Sequence, residues 1–398
     1  MPDLYRRSIE IILANQHPSG AYVACPNFPT YRYTWFRDAS FVAYAMDCVG
    51  EHASAGRFHA WAARAICERA GVIERGLEKA DRGEKLADAD VLHTRLTLEG
   101  RDGRRQKWGN FQLDGFGTWL WALEQHRRLC GETLPAEWLE AAGLAARYLA
   151  ALWERPCYDC WEEHPERVHP YTLAAIYGGL KAYAGLAVPP PGLPQNHAFL
   201  ILGEGQLAPQ APKDQESMIL GEGQGVGETL AAIKEYIYAH FVWQGHFVKF
   251  AGEAGVDASL LGLAAPYGVV EPDDPLMRAT VSEIERTLLD GGAGAHGAPY
   301  GGVHRYAADV YYGGGEWILL AAWLGWYYRM AGREAEVGPL LAWIEAQAAP
   351  DGSLPEQVSG KLLAPAQHAP WVAKWGPVAT PLLWSHASYM ILKKSPHA

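Results

Sequence analysis

No apolar run in this chain is long enough to cross a bilayer; the longest strongly apolar stretch, Trp317 to Tyr328, covers only part of one. Positive charge is also in short supply. Lys and Arg number 34 against 45 Asp and Glu, a net charge of −11. That balance speaks against nucleic acid and anionic membranes as partners and suits a neutral small molecule such as a sugar. Cysteine is sparse, and six in 398 residues do not make a disulfide framework. Cys157 and Cys160 form a lone CxxC without a second pair or a suitably spaced histidine, so reduced thiols are expected there. No His/Asp cluster with metal spacing is visible, and neither a cofactor nor a metal is expected. The first residues lead into an amphipathic helix and not into a signal h-region, which places the expected location in the cytoplasm. Strand signals are thin. The best is 241–250, where Gln244-Gly245 suits the turn of one small hairpin.

Apolar periodicity at helical spacing dominates instead. It predicts helices over 3–15, 38–50, 56–82, 115–130, 135–154, 169–185, 227–242, 256–265, 274–290, 315–331, 333–347 and 380–394. The links between them alternate between short and long. Antiparallel pairs in up-down order place every second link on the same rim, so the long loops share one face. An all-α fold of the (α/α)6 barrel type, six inner and six outer helices with little β structure, satisfies this. An open helical array is the alternative, but no repeat of solenoid length is seen. The whole chain, 1–398, reads as a single domain with a Pro/Gly-rich excursion at 188–225. That excursion contains Ile-Leu-Gly-Glu-Gly-Gln twice, at 201–206 and 219–224, and reads as a surface duplication or as a lid or subunit contact.

The long loops carry an unusual mixture of groups. Sixteen Trp and 20 Tyr are present in the chain, and many sit beside charges in these loops. They fit either a large aromatic core or a cleft that stacks flat sugar faces. Glycoside hydrolysis suits such a set, because it needs one carboxylic acid and one carboxylate on either side of the scissile bond. Glu162, between Trp161 and Glu163, has an aromatic wall to desolvate it and a carboxylate neighbour to oppose its ionisation, both of which raise a pKa. Glu356 follows Pro355 in another loop and could face it across a pocket. Arg37 should hold Asp38 ionised as an acceptor for hydroxyls, unless the two form a structural pair with Asp38 as a helix cap. Arg305 is a ligand for substrate or a partner of Asp309 one turn on. Trp108, Trp161 and Trp317 could equally be core, and His304 and His386 read as hydrogen-bonded structural histidines.

These segments together resemble glycoside hydrolase family 15, the glucoamylase family. Tyr31-Arg-Tyr-Thr-Trp35-Phe-Arg37-Asp38 resembles its YxYxWxRD signature, and Asp159-Cys-Trp161-Glu162-Glu163 its DxWEE segment. Trp108-Gly-Asn-Phe-Gln-Leu-Asp114-Gly115 resembles the loop that lines the glucose pocket, and Arg305-Tyr306-x-x-Asp309-x-Tyr311-Tyr312 the RYxxDxYY segment, whose Arg binds substrate. Leu354-Pro-Glu356-Gln and Trp384-Ser-His-Ala complete the order. The resemblance implies an (α/α)6 barrel, Glu162 as general acid and Glu356 as general base. It implies a glucose pocket lined by Tyr31, Trp35, Arg37, Asp38, Trp108, Asp114, Trp161, Glu163 and Arg305. It implies exo-acting release of β-glucose with inversion, from a small-molecule α-glucoside, and leaves a homo-oligomer open.

Departures from the family pattern point to a particular substrate class. The chain shows neither the N-terminal β-sandwich common in prokaryotic relatives nor a starch-binding module. It has Ala307-Ala308 where fungal members carry Pro-Glu, and its 160–169 loop and 188–225 insertion differ from the starch enzymes. Short α-glucosides are therefore expected, with isomaltose and α-1,6 oligosaccharides first, maltose-type α-1,4 sugars second and trehalose third. A phosphorylase on a similar barrel would lack Glu356, and an inactive sugar-binding barrel would bind without turnover.

Overall fold

The structure is a computed structural model that describes residues 3–103, 108–186, 214–291 and 301–394, with 214–224 as backbone course alone. Among these residues the chain forms thirteen α-helices in the order α1 (Leu4–Ala14), α2 (Phe36–Cys48), α3 (His52–Cys67), α4 (Ala70–Asp81), α5 (Asp114–Cys130), α6 (Ala136–Leu152) and α7 (Pro170–Leu186). Then follow α8 (Asp214–His240), α9 (Pro275–Thr287), α10 (Ile318–Met330), α11 (Val337–Ala346), α12 (Pro365–Trp375) and α13 (Leu383–Lys394).

The inner wall is a closed ring. α2 packs on α5, α5 on α7, α7 on the 3₁₀ segment Ala258–Leu263, that segment on α10, α10 on α13, and α13 back on α2. Outside it, α1 lies against α13, α3 against α2, α6 against α5 and α7, α8 against α7, α9 against the 3₁₀ segment and α11 against α10. This is the (α/α)6 barrel, with inner and outer elements alternating along the chain as the loop lengths required. Its inner helices are apolar nearly all round, as double-sided burial demands. In α10 every residue from Ile318 to Gly325 is buried. Trp61, Trp119 and Trp323 are wholly buried, so part of the tryptophan content is core.

Close helix approach depends on glycine at one crossing. A Cβ on Gly117 of α5 would lie 2.3 Å from the Ala175 carbonyl oxygen of α7, and one on Gly179 would lie 2.5 Å from the Gly117 carbonyl oxygen. Backbone cannot retreat as a side-chain tip can. Gly179→Ala should therefore cost about 1–3 kcal/mol in urea unfolding, the usual penalty of overpacking.

Four elements differ from the sequence reading. The helix expected over 56–82 breaks at Glu68-Arg69, where the Arg69 guanidinium bonds the Gly100 carbonyl and Asp102 and also takes the Ala65 carbonyl that a continuing helix would have used. The inner element expected at 256–265 is a 3₁₀ helix of six residues, started by the Asp257 side chain accepting from Ser259 N–H and followed by Pro266, which cannot continue a helix. Of the excursion at 188–225, residues up to 213 lie outside the described residues, and 214–225 form the first turns of α8. Their glycines lower helix propensity and read as loop. Finally, α12 falls where only a loop was expected. It carries Pro370 inside and buries no residue, so it leaves no apolar stripe in the sequence.

Strand content is small. β3 (Val242–Trp243) and β4 (His246–Phe247) form the expected hairpin, with Gln244 and Gly245 both at positive φ in its turn. β1 (Thr34–Trp35) pairs antiparallel with β2 (Arg95–Leu96), and β5 (Glu316–Trp317) with β6 (Gln357–Val358). β1 and β5 run directly into inner helices α2 and α10, so these two short ladders pin the loops at the rim where those helices start.

Candidate active site

A pocket of about 390 Å³ opens at that rim. Arg37 and Asp38 enter it from the first turn of α2, Trp317 from the cap of α10 and Trp384 from the start of α13. Loops add Tyr31, Trp35, Trp108, Trp161, Glu162, Glu163, Arg305 and Glu356. Every site residue expected from the sequence lies here except Asp114. That carboxylate is fully buried behind the wall, where it accepts from Arg37 Nη1 at 3.0 Å. Asp114 therefore positions Arg37 and does not line this pocket, where the loop resemblance had placed it.

Glu162 sits on a strained turn. Its φ is +66°, and the loop closes by Glu162 N–H donating to the Asp159 carbonyl at 3.0 Å and Asp159 N–H to the Glu163 carbonyl at 3.1 Å. Such a conformation costs about 1–3 kcal/mol in a non-glycine residue and marks functional sites. The Asp159 side chain supports the turn by accepting from the Trp161 and Glu163 N–H groups at 2.9 and 2.8 Å. The Trp35 indole donates to Glu162 Oε1 at 2.6 Å. Indole nitrogen only donates, so a proton on this carboxyl resides on the other oxygen. Burial pushes the Glu162 pKa up, with Arg37 opposing most strongly. The neighbouring Glu163 contributes less than expected, because it turns to other partners. It accepts from the Tyr306 hydroxyl at 2.7 Å and lies 3.4 Å from Arg305 Nη2 and 3.6 Å from Lys249 Nζ.

Glu356 is held from three directions. Its N–H donates to the Ala379 carbonyl at 2.9 Å, its carbonyl accepts from Ile318 N–H at 3.3 Å, and the next residue joins the β5–β6 ladder. Just before it, Leu354 N–H donates to His386 Nε2 at 3.0 Å and the Ser385 hydroxyl to the Pro355 carbonyl at 2.8 Å. His386 is buried and pushed down to about 3 by burial, a structural histidine as expected. His304 likewise reaches the Gly314 and Gly315 carbonyls through Nδ1. The Glu356 carboxylate accepts from Tyr31 at Oε1 and Tyr311 at Oε2, each at 3.2 Å. Burial lifts its pKa to about 7, while Arg305 and the two phenols oppose the rise.

The phenols favour the charged form, so removing one raises the pKa further. Any activity that needs ionised Glu356 is lost as pH falls through that value. In Tyr311→Phe the acid limb of the kcat/KM profile should move to higher pH, relative to wild type assayed in the same buffers. An unmoved limb would show that Glu356 does not govern it.

Arg37 and Asp38 do form a pair, with Nε 3.4 Å from Oδ2 and no hydrogen-bond geometry between them. Burial outweighs the arginine and lifts Asp38 to about 6. The sequence reading had the opposite balance, because local spacing shows the arginine and not the desolvation. Arg305 pairs with Asp309, one of the two readings the sequence left open, and it also lines the pocket. It forks onto Asp309 at 2.8 and 2.5 Å, and its guanidinium lies 5.2–5.3 Å from the ring centres of Trp161, Tyr311 and Trp317 in the pocket wall.

Several groups in or behind the pocket wall escaped the sequence. Lys249 stands 3.1 Å from Asp257 and 3.2 Å over the Tyr306 ring, while Asp257 accepts the Trp161 indole N–H at 3.0 Å. From α12, Trp371, Lys374 and Trp375 reach the pocket mouth. Trp371 packs edge-on to Tyr311 at 4.9 Å. The only sequence signal for α12 was its pair of tryptophans in a long loop.

The chain is similar to known proteins along most of its length. The profile of glycosyl hydrolases family 15 matches residues 2–341. The chain is 42% identical to an isomaltose glucohydrolase of Kribbella flavida over 392 residues, 98% of this chain and 91% of that one. An uncharacterized glycosyl hydrolase of Methanocaldococcus jannaschii is 27% identical across 97% of this chain and 54% of its own length. Among solved structures, a glycosidase variant in complex with glucose superposes with a TM-score of 0.84 at 41% identity, covering 98% of this chain and 95% of that one. A bacterial glucoamylase complexed with acarbose shares the fold, with a TM-score of 0.68 at 20% identity over 98% of this chain and 55% of that one. An acid turn, a second buried carboxylate and an aromatic pocket at the rim of an (α/α)6 barrel thus accompany a match along nearly the whole chain, which belongs to glycosyl hydrolase family 15 and is a glycoside hydrolase.

Proposed function

We propose that this chain is an inverting, exo-acting α-glucosidase that removes single β-glucose units from the non-reducing ends of short α-glucosides, with isomaltose and α-1,6 oligosaccharides preferred. The observation that carries the reading is the pair of buried carboxyls in one aromatic pocket. Glu162 is anchored through one oxygen by Trp35, and Glu356 is cradled by two phenols.

Glu162 gives its proton to the glycosidic oxygen from the oxygen that Trp35 leaves free. Glu356 takes a proton from water, and that water attacks the anomeric carbon as the bond to the leaving sugar breaks. The water adds on the face opposite the leaving sugar, so the anomeric centre inverts; the glucose gains hydroxide, the leaving sugar gains the proton of Glu162, and the proton on Glu356 returns to Glu162 by exchange with solvent. The roughly 6.5–9.5 Å separation typical of inverting pairs leaves room for that water. Asp38 and Arg37, which line the pocket together, bind the glucose hydroxyls. The aromatic walls, Tyr31, Trp35, Trp108 and Trp161, stack the ring. Arg305 also binds the glucose hydroxyls, while Glu163 stands beside the leaving sugar, where its negative charge favours the oxocarbenium-like state.

The linkage preference rests on the K. flavida relative, whose name specifies isomaltose. It agrees with the departures from the starch enzymes seen in the sequence. Initial rates on isomaltose, maltose and trehalose test it. The expected order of kcat/KM is isomaltose, then maltose, then trehalose. A faster rate on maltose or trehalose would overturn the linkage preference without touching the acid–base pair.

A further inference from the structure

A second cluster of ligand-type side chains lies at the opposite end of the barrel. Asp47 is near the C-terminus of α2, nine residues beyond Asp38, hence about 13 Å along the helix from the pocket. His126 is near the C-terminus of α5, and His59 is on α3. One ligand atom from each of Asp47, His59 and His126 lies within 4.8 Å of the others, and all three residues are buried. His126 Nδ1 donates to Asp47 at 2.9 Å, which fixes the ring. The rings of His59 and His126 are 4.9 Å apart between centres.

His59 is the group that a purely structural reading leaves unexplained. It is 0% exposed, and neither ring nitrogen has a hydrogen-bond partner in the protein. A buried imidazole with both nitrogens orphaned is costly, and native structures seldom tolerate one. Beside the cluster a cavity of about 430 Å³, lined in part by His52, His126, Cys130 and Trp138, connects it towards solvent and leaves room for a water ligand.

We propose that Asp47, His59 and His126 form a binding site for a divalent transition metal of the zinc class, with a structural role that joins α2, α3 and α5. Two imidazoles and one carboxylate are ligands that suit Zn²⁺, and small rotamer changes bring such atoms to the usual ~2.0–2.2 Å. The sequence showed no such site because its ligands come from three helices and are scattered over positions 47, 59 and 126. Asp47 also accepts from His52 Nδ1 at 2.8 Å, and with Cys130 these form an overlapping, more open triad. The buried triad is preferred because it alone accounts for His59.

The test is metal content by mass spectrometry on untagged protein purified without chelator, with thermal unfolding before and after chelation. About one zinc per chain is expected to survive dialysis. Chelation should lower Tm by several degrees, and added Zn²⁺ should restore it, since a ligand that binds only the folded state stabilises it. His59→Ala should fold, because it leaves the Asp47–His126 and Asp47–His52 contacts in place, and should retain no zinc. His52→Ala should retain it. Wild-type protein that holds no metal and shows no Tm response to Zn²⁺ would overturn the site. Loss of metal in His52→Ala with retention in His59→Ala would overturn the ligand set.

Discussion

Glu356→Gln is expected to lower kcat on isomaltose by roughly 10²–10⁴-fold, the usual contribution of a positioned general base. Binding of glucose, read by calorimetry, should change little, because the amide keeps the size of the side chain and its carbonyl still accepts a phenol proton. Stability should not fall either. The wild-type carboxylate is buried and its charge is opposed by burial, and glutamine removes that charge at constant shape. The combination is diagnostic: a misfolded variant would lose binding and Tm together. A variant with near wild-type kcat would remove Glu356 from the mechanism.

Glu162→Gln should show an equally large loss of roughly 10²–10⁴-fold on isomaltose, but one that depends on the leaving group. A sugar alkoxide needs the proton that a general acid at Glu162 would supply. A nitrophenolate does not, so a nitrophenyl α-glucoside should lose far less of its rate in the same variant. Trp35 can still donate to the amide oxygen of the replacement, so the side chain stays in place. Equal losses on both substrates would show that Glu162 acts on something other than the leaving oxygen.

Much of this arrangement was legible from the chain. Alternating short and long links foreshadowed the ring of inner elements, because antiparallel packing allows the long loops only one rim. Glu162 and Glu356 stood out through their company, an aromatic wall in one case and a proline in the other. Asp38 and Asp114 show where that reading weakens. Both are acidic residues in the first turn of an inner helix. One faces the pocket and the other is sealed behind Arg37, a difference set by how α2 and α5 rotate against each other and by nothing local. Lys249 and Asp257 were invisible for a related reason. Each is an ordinary charge in its own segment, and only the fold brings them against Glu163, Tyr306 and Trp161. α12 was hidden because a helix lying over the pocket mouth, with no face against the core, leaves no periodic signature.

The early anomer of the product tests most directly whether the two carboxyls invert an α-glucoside. Proton NMR on the purified chain with isomaltose, recorded before mutarotation equilibrates the sugar, separates the outcomes. β-Glucose is expected as the first anomer released. α-Glucose as the first anomer would mean retention of configuration, and would contradict the roles given to Glu162 and Glu356.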